Sequence, residues 1–421
     1  MISVVRLIVF LVLVSAFYGC KVNNSVAGRN VNFLYQSQVR NGLDVEYKVW
    51  YNSDQVKLIW KVQVASLGIK RDDVGSETVA FNFRYRLFQN YSETLAIDSG
   101  LVVVKDIPRQ RDEFITDTIS LNLKESRRYL VDVVCKDLNS INSDQQFVDL
   151  EPKAYFNAQN VLIYNNENEL LFSPYLEKLD SYNLKITTQK DRLFVRMYQR
   201  EFQMAAAPFG VVDPKPFNFK PDAVFALDKN ENGFFTIPID KKGFYQIAED
   251  STKFVGPALY YFGEYFPESR TVLDLLYPLR YITTSDEYSA LLKGENIKKN
   301  VDNFWLKIGG SPQRAKELIQ AYYSRVKYAN TFFSSYLEGW KTDRGMCYMI
   351  YGEPDIVYKS TSSETWIYGE EGVYSSLSLV FTKVANPFTN NDFRLNRSTS
   401  LKSSWYRSVE FWRQGRIITY K

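Results

Sequence analysis

Gly339-Trp340-Lys341-Thr342-Asp343-Arg344-Gly345 runs directly into Met346-Cys347-Tyr348-Met349-Ile350-Tyr351 and then Gly352-Glu353-Pro354-Asp355. The order of residue types predicts a corner between a helix and a sheet. Gly339 is suited to leave a helix through a positive φ. Trp340 brings a large surface to bury and one N–H to satisfy. Thr342 and Asp343 can bond local backbone amides and fix the turn. Arg344 has three acids to choose from: Asp343, Asp355 and Glu364. The apolar run Met346 to Tyr351 predicts a strand. Gly352 and Pro354 shape the next loop, and Glu364 to Tyr368, with Trp366 at its centre, predicts a second strand. Residues 338–421 therefore read as an α/β domain.

Upstream, residues 268–337 read as helical. Thr284 with Glu287 fits a capping box. Ile297 to Ile308 predicts a helix stopped by Gly309-Gly310. Ser311-Pro312 is a cap followed by a first-turn proline. Ala315, Ile319, Tyr322, Val326, Ala329 and Phe333 then recur every three to four residues, the apolar stripe of a long helix expected to pack on the segment after it.

Further upstream the period becomes two. Leu43, Val45, Tyr47, Val49 and Tyr51 alternate with polar residues. So do Leu58 to Val64, Phe81 to Leu87, Ile119 to Leu123 and Tyr129 to Cys135. Each set faces one side of a sheet. Turn signals lie between, at Asn41-Gly42, Asn52-Ser53-Asp54, Ser99-Gly100 and Asn139-Ser140. Residues 32–150 thus predict a β-sandwich. Glu151-Pro152 marks a boundary, and residues 151–267 read as a second β-rich domain. Its stretch Pro208 to Pro221 is too proline-rich for a central strand. The fold expected is mixed and mostly β: two sandwich-like domains, a helical segment and a C-terminal α/β domain.

The N-terminus reads as an address. Arg6 precedes the apolar run Leu7 to Val14, which is shorter than the roughly 20 residues that span a bilayer. Small residues end the segment and Gly19 precedes Cys20, which resembles a bacterial lipobox. Residues 1–19 are then a lipoprotein signal peptide, and Cys20 carries acyl chains that anchor the protein to a membrane. Residues 20–31, small and polar, predict a tether. No acidic cluster follows Cys20, which favours the periplasmic face of an outer membrane over the cell surface. Cys135 and Cys347 read as buried free thiols.

Composition excludes much chemistry. The chain of 421 residues contains no histidine, so histidine-dependent nucleophile systems and His-ligated zinc are impossible. A net charge of +4, with 52 basic and 48 acidic residues, lacks the basic footprint of a nucleic-acid binder. No Gly-rich phosphate loop, dinucleotide fingerprint or EF-hand spacing is present, so no cofactor or metal is expected.

The motif Gly339, Trp340, Thr342, Asp343, Arg344 and Gly345, with Tyr351-Gly352, Pro354-Asp355 and Glu364 to Tyr368, resembles the GWxTD-domain family of bacterial, mainly Bacteroidetes, envelope proteins. Phe304-Trp305 and Tyr323 to Ala329 resemble the family's preceding helical stretch. The resemblance covers roughly residues 300 to 370 and implies location and architecture rather than a reaction. The motif has two readings: a clasped corner, which the residue types favour, or a pocket lined by Trp340, Asp343, Arg344, Asp355 and Glu364. The expected function is a lipid-anchored periplasmic scaffold that binds a protein in an envelope assembly, with secretion or outer-membrane biogenesis as the candidate settings. The alternatives are glycan or peptidoglycan binding, through rings such as Tyr260, Tyr261, Phe262, Trp405 and Tyr406, and a carboxylate-dependent hydrolase using acids such as Asp343 and Glu364.

Overall fold

The computed structural model describes residues 25–36, 42–52, 55–108, 113–123, 127–151, 156–210, 217–293, 296–374 and 376–417. Cys20 and the expected signal peptide lie outside these residues.

The first body is the expected sandwich. Its strands are β1 Val45–Tyr51, β2 Val56–Gln63, β3 Lys70–Arg71, β4 Glu77–Phe88, β5 Asp98–Pro108, β6 Phe114–Leu121, β7 Tyr129–Asp137 and β8 Ser143–Leu150. One sheet runs β1-β2-β6. The other runs β3-β4-β7-β8, with β5 paired to β4. Alternation puts Val45, Val49, Phe81, Phe83, Val131 and Val133 into one core. There Trp60 stacks on Phe83 with ring centroids 5.4 Å apart and meets Phe81 edge-on. Cys135 is a free thiol in this core, and burial pushes it up to about 12.

A second sandwich follows. It comprises β9 Val161–Tyr164, β10 Leu170–Leu171, β11 Ser181–Ile186, β12 Arg192–Tyr198, β13 Ala223–Asp228, β14 Phe235–Pro238, β15 Gly243–Ala248 and β16 Ala258–Tyr261. The sheets β10-β9-β11-β14 and β13-β12-β15-β16 close over Ile163, Leu184, Val195, Ile237 and Tyr245. Between β12 and β13 the described residues form no strand or helix. This is the proline-rich stretch.

The C-terminal region carries α1 Val272–Leu276, α2 Ser285–Leu292, α3 Ile297–Gly309, α4 Pro312–Phe333, α5 Asp343–Tyr351 and α6 Lys402–Arg413. They surround an antiparallel meander of β17 Ile356–Lys359, β18 Ser363–Tyr368, β19 Leu377–Lys383 and β20 Phe393–Leu395. The predicted capping box holds: Thr284 Oγ1 accepts from Glu287 N–H, and Glu287 accepts from Thr284 N–H. Gly310 ends α3 in the left-handed region. Ala315, Leu318, Tyr322, Val326, Ala329 and Phe333 form the buried stripe of α4. A single apolar core joins these helices to α5 and the sheet, so packing continues across residues 337 and 338.

Three expectations need correction. Met346 to Tyr351 is helix, not strand. Thr342 caps it, its Oγ1 accepting from Gly345 N–H at 3.1 Å, and every residue from Asp343 to Tyr351 is buried. A helix covered on all sides has no polar period, so its apolar run reads like an inner strand. Gly339 does not take a left-handed φ. It is needed because a Cβ there would sit 1.9 Å from Ala329 O, and one on Gly345 would sit 1.9 Å from Gly339 O. Finally, residues 25–31 are not a free tether. Val26 and Val31 are buried. Ala27 N–H donates to Tyr91 O, and Val31 N–H donates to Val357 O. Asn30 and Asn32 amides both donate to Asp355 O.

Candidate functional site

The motif lies where α4 turns into α5. Asn330 of α4 accepts from Trp340 N–H at 3.1 Å, and Ser334 Oγ accepts from Gly339 N–H at 2.8 Å. Trp340 is buried, edge-on to Tyr281, whose hydroxyl donates to Trp340 O. Thr342 Oγ1 donates back to Gly339 O at 2.7 Å. These contacts position Asp343 and Arg344, neighbours in sequence that point into different clusters.

Arg344 pairs with Glu364, one of the three acids open to it. Nη1 donates to Glu364 Oε1 at 3.0 Å, and Nη2 donates to Asn391 O and to its side-chain oxygen. The guanidinium lies 4.0 Å from the Phe393 ring centroid. Both partners are withdrawn from solvent, with side chains 2% and 0% exposed. Glu364 also accepts from Tyr35 Oη at 2.8 Å and from Trp366 Nε1 at 3.3 Å, with Lys359 Nζ 3.6 Å away. Burial alone would raise its carboxyl, but Arg344 and Lys359 together with these hydrogen bonds hold it below the ordinary value. Burial and the adjacent carboxylate push the Tyr35 hydroxyl far up. Trp366 packs on Tyr35, Phe333 and Phe381 beneath this network.

Asp343 instead faces β20. It accepts from Leu395 N–H at 2.8 Å and from both terminal nitrogens of Arg397. Asp355 is elsewhere, accepting from Gly369 N–H at 2.6 Å across the β17–β18 end. The motif therefore brings Arg344, Glu364 and Trp366 together and leaves Asp343 and Asp355 apart. Its two buried acids are each locked by an arginine. Sequence reading missed Tyr35, Asn391 and Arg397. None has a local signal, since each reaches its partner across 47 residues or more.

The rings offered for sugar stacking are mostly core: Tyr260, Tyr261 and Trp405 are buried, while Tyr406 is exposed. A cleft of about 450 Å³ opens between Glu201–Ala206 on one side and Lys341–Asp343 with Phe393–Arg397 on the other. Among the described residues there is no metal-ligating cluster, and no helix is long and apolar enough to cross a membrane.

Residues 243–414 match the family model of the GWxTD domain. The match reaches from β15 to the end of α6, so the matched region takes in the last strands of the second sandwich as well as the helices and meander. No curated protein matches the chain. A solved structure described as "Biofilm associated protein - BSP domain" is similar at 11% identity over 57% of this chain and 55% of that one, with a TM-score of 0.17. The chain thus spans about half of that structure, and likeness at that level carries no argument about function.

Proposed function

We propose that this protein is a lipid-anchored scaffold at the periplasmic face of the outer membrane, holding a protein partner in an envelope assembly. The observation that carries the partner is a strand at the edge of the first sandwich whose centre is apolar and exposed among the described residues. Strand β5 pairs only with β4 among the described residues. Along and beside it, Leu95, Ile97, Leu101 and Val103 are 79%, 45%, 62% and 46% exposed. Edge strands are usually shielded by charge, proline or covering elements, and an apolar one marks an interaction site. The GWxTD motif supports a holding role too. Its two buried acids, Glu364 and Asp343, are each paired with an arginine, as suits a structural corner.

Affinity purification of the detergent-extracted chain tests this. The wild type should retain a reproducible envelope protein that the double variant Leu101→Lys, Val103→Lys loses while melting at the same temperature. A wild type that remains a solitary monomer overturns the proposal.

A further inference from the structure

A cavity of about 440 Å³ lies where the first sandwich meets the C-terminal region. One wall is the outer edge of the larger sheet. There β8 ends the order β3-β4-β7-β8, and Ser143 to Phe147 line the space consecutively. The remaining lining includes Phe33 near the front of the chain, Phe332 of α4 and Lys359 of β17.

The hydrogen bonds show which way the β8 backbone points. Asn142 O accepts from Asp137 N–H on the β7 side, whereas Asp149 O accepts from Gln159 Nε2 at 2.7 Å on the other. Successive residues of an antiparallel strand face alternately towards and away from their partner strand. Ser143, Gln145 and Phe147 therefore turn their N–H and C=O groups away from β7, and no hydrogen bond among the described residues takes them up. The Gln146 side chain lines the same space and has no partner among the described residues.

Charge in the lining cancels. Lys359 is its one cation and Asp144 its one anion among the described residues; Asp144 accepts from Tyr47 Oη at 3.0 Å, and Lys359 stands 3.6 Å from Glu364. Neither an anionic nor a cationic ligand gains from that balance. Free donors beside free acceptors suit a ligand whose polar groups both give and take hydrogen bonds, as hydroxyls do. Phe33 and Phe147, with ring centroids 6.1 Å apart, and Phe332 add apolar surface for the C–H face of a sugar ring. A partner strand fits less well, because the free edge from Ser143 to Phe147 is only about 13 Å long and Gln159 occupies the edge beyond it.

We propose that this cavity binds a neutral saccharide of one or two rings, its hydroxyls against the β8 edge and Gln146 and its C–H faces against the phenylalanines. The volume falls within the range of small-molecule sites. The site is separate from the β5 edge and stands whether or not that edge holds a partner.

The test is isothermal titration calorimetry of the full chain, extracted in a detergent without a sugar headgroup, against cellobiose and against N,N′-diacetylchitobiose. The two probes separate plain hydroxyl recognition from recognition of acetamido groups. At least one should bind saturably with a Kd of about 1 mM or tighter. Gln146→Ala should weaken that binding about fivefold, and Gln146→Trp, which fills the space, should abolish it. The β5 variant Leu101→Lys, Val103→Lys should bind sugar as the wild type does. Melting identifies which variants are folded, and either Gln146 variant alone supplies the answer. No saturable heat from either sugar up to about 10 mM, or undiminished binding in a folded Gln146 variant, overturns the proposal.

Discussion

Replacing Arg344 by Met tests how the GWxTD corner is held. Met keeps most of the aliphatic volume against Phe393 and removes the charge. Glu364 is then a carboxylate with no exposed surface. Removing one member of a buried pair costs about 3–5 kcal/mol, because the other is left uncompensated. Here Tyr35 Oη at 2.8 Å and Trp366 Nε1 at 3.3 Å still serve Glu364, and Lys359 remains at 3.6 Å, so the loss should fall near the low end, about 3 kcal/mol. The pH dependence is more specific. In the wild type the Glu364 carboxyl lies below its ordinary 4.5, so its contribution is complete above that value and fades as pH falls through the lower folded value. In the variant, burial persists without the arginine, so the folded carboxyl takes up a proton above the ordinary range and the variant gains stability on acidification. The difference between the two proteins should be largest above the variant's raised carboxyl and shrink as pH falls through it and then through the wild type's lowered one. Urea unfolding followed by tryptophan fluorescence reports on this region, which holds Trp305, Trp340, Trp366, Trp405 and Trp412 of the seven tryptophans. A loss below about 1 kcal/mol at pH 7, or a loss unchanged by acid, would refute the reasoning.

Gly345→Ala should cost at least about 3 kcal/mol, because its Cβ would meet Gly339 O at 1.9 Å. A melting temperature within 2 °C of wild type (about 0.5 kcal/mol or less) would contradict this. Asp343→Asn should cost about 1.5–3 kcal/mol by weakening the charged bonds to Arg397, read by the same urea titration; an unchanged midpoint would show that the Arg397 contact is idle. Cys135 and Cys347, both buried with their thiols raised, should resist thiol reagents at pH 8 until denaturant is added. Rapid native labelling of either would refute that burial. Cys20→Ser should move the protein from the detergent phase to the aqueous phase, and persistent membrane association would dismiss the lipid anchor.

The strands were legible where one sheet face is buried and the other wet, as in Leu43 to Tyr51 and Phe81 to Leu87. The helix α4 was legible for the same reason at period 3.6, and its cap and first-turn proline marked the start. α5 was not, because complete burial erases the polar side of the pattern. Its one local clue was Thr342, three residues before Gly345, a capping geometry that the apolar run outweighed. The Arg344–Glu364 pair was legible as one of three choices; only the β17–β18 register brings Glu364 inward while Asp355 turns to Gly369. Tyr35 was beyond reach of any local rule, since it enters this core from more than 300 residues away.

The seating of residues 25–35 has a mechanical consequence. Val31 is bonded to Val357, Asn30 and Asn32 to Asp355, and Tyr35 to Glu364. Tension applied at the front of the chain meets Val26 and Ala27 on the first sandwich and then, a few residues on, the final sheet, nearly the whole polypeptide away. A pull at this end is therefore shared between two parts of the molecule that the sequence sets far apart.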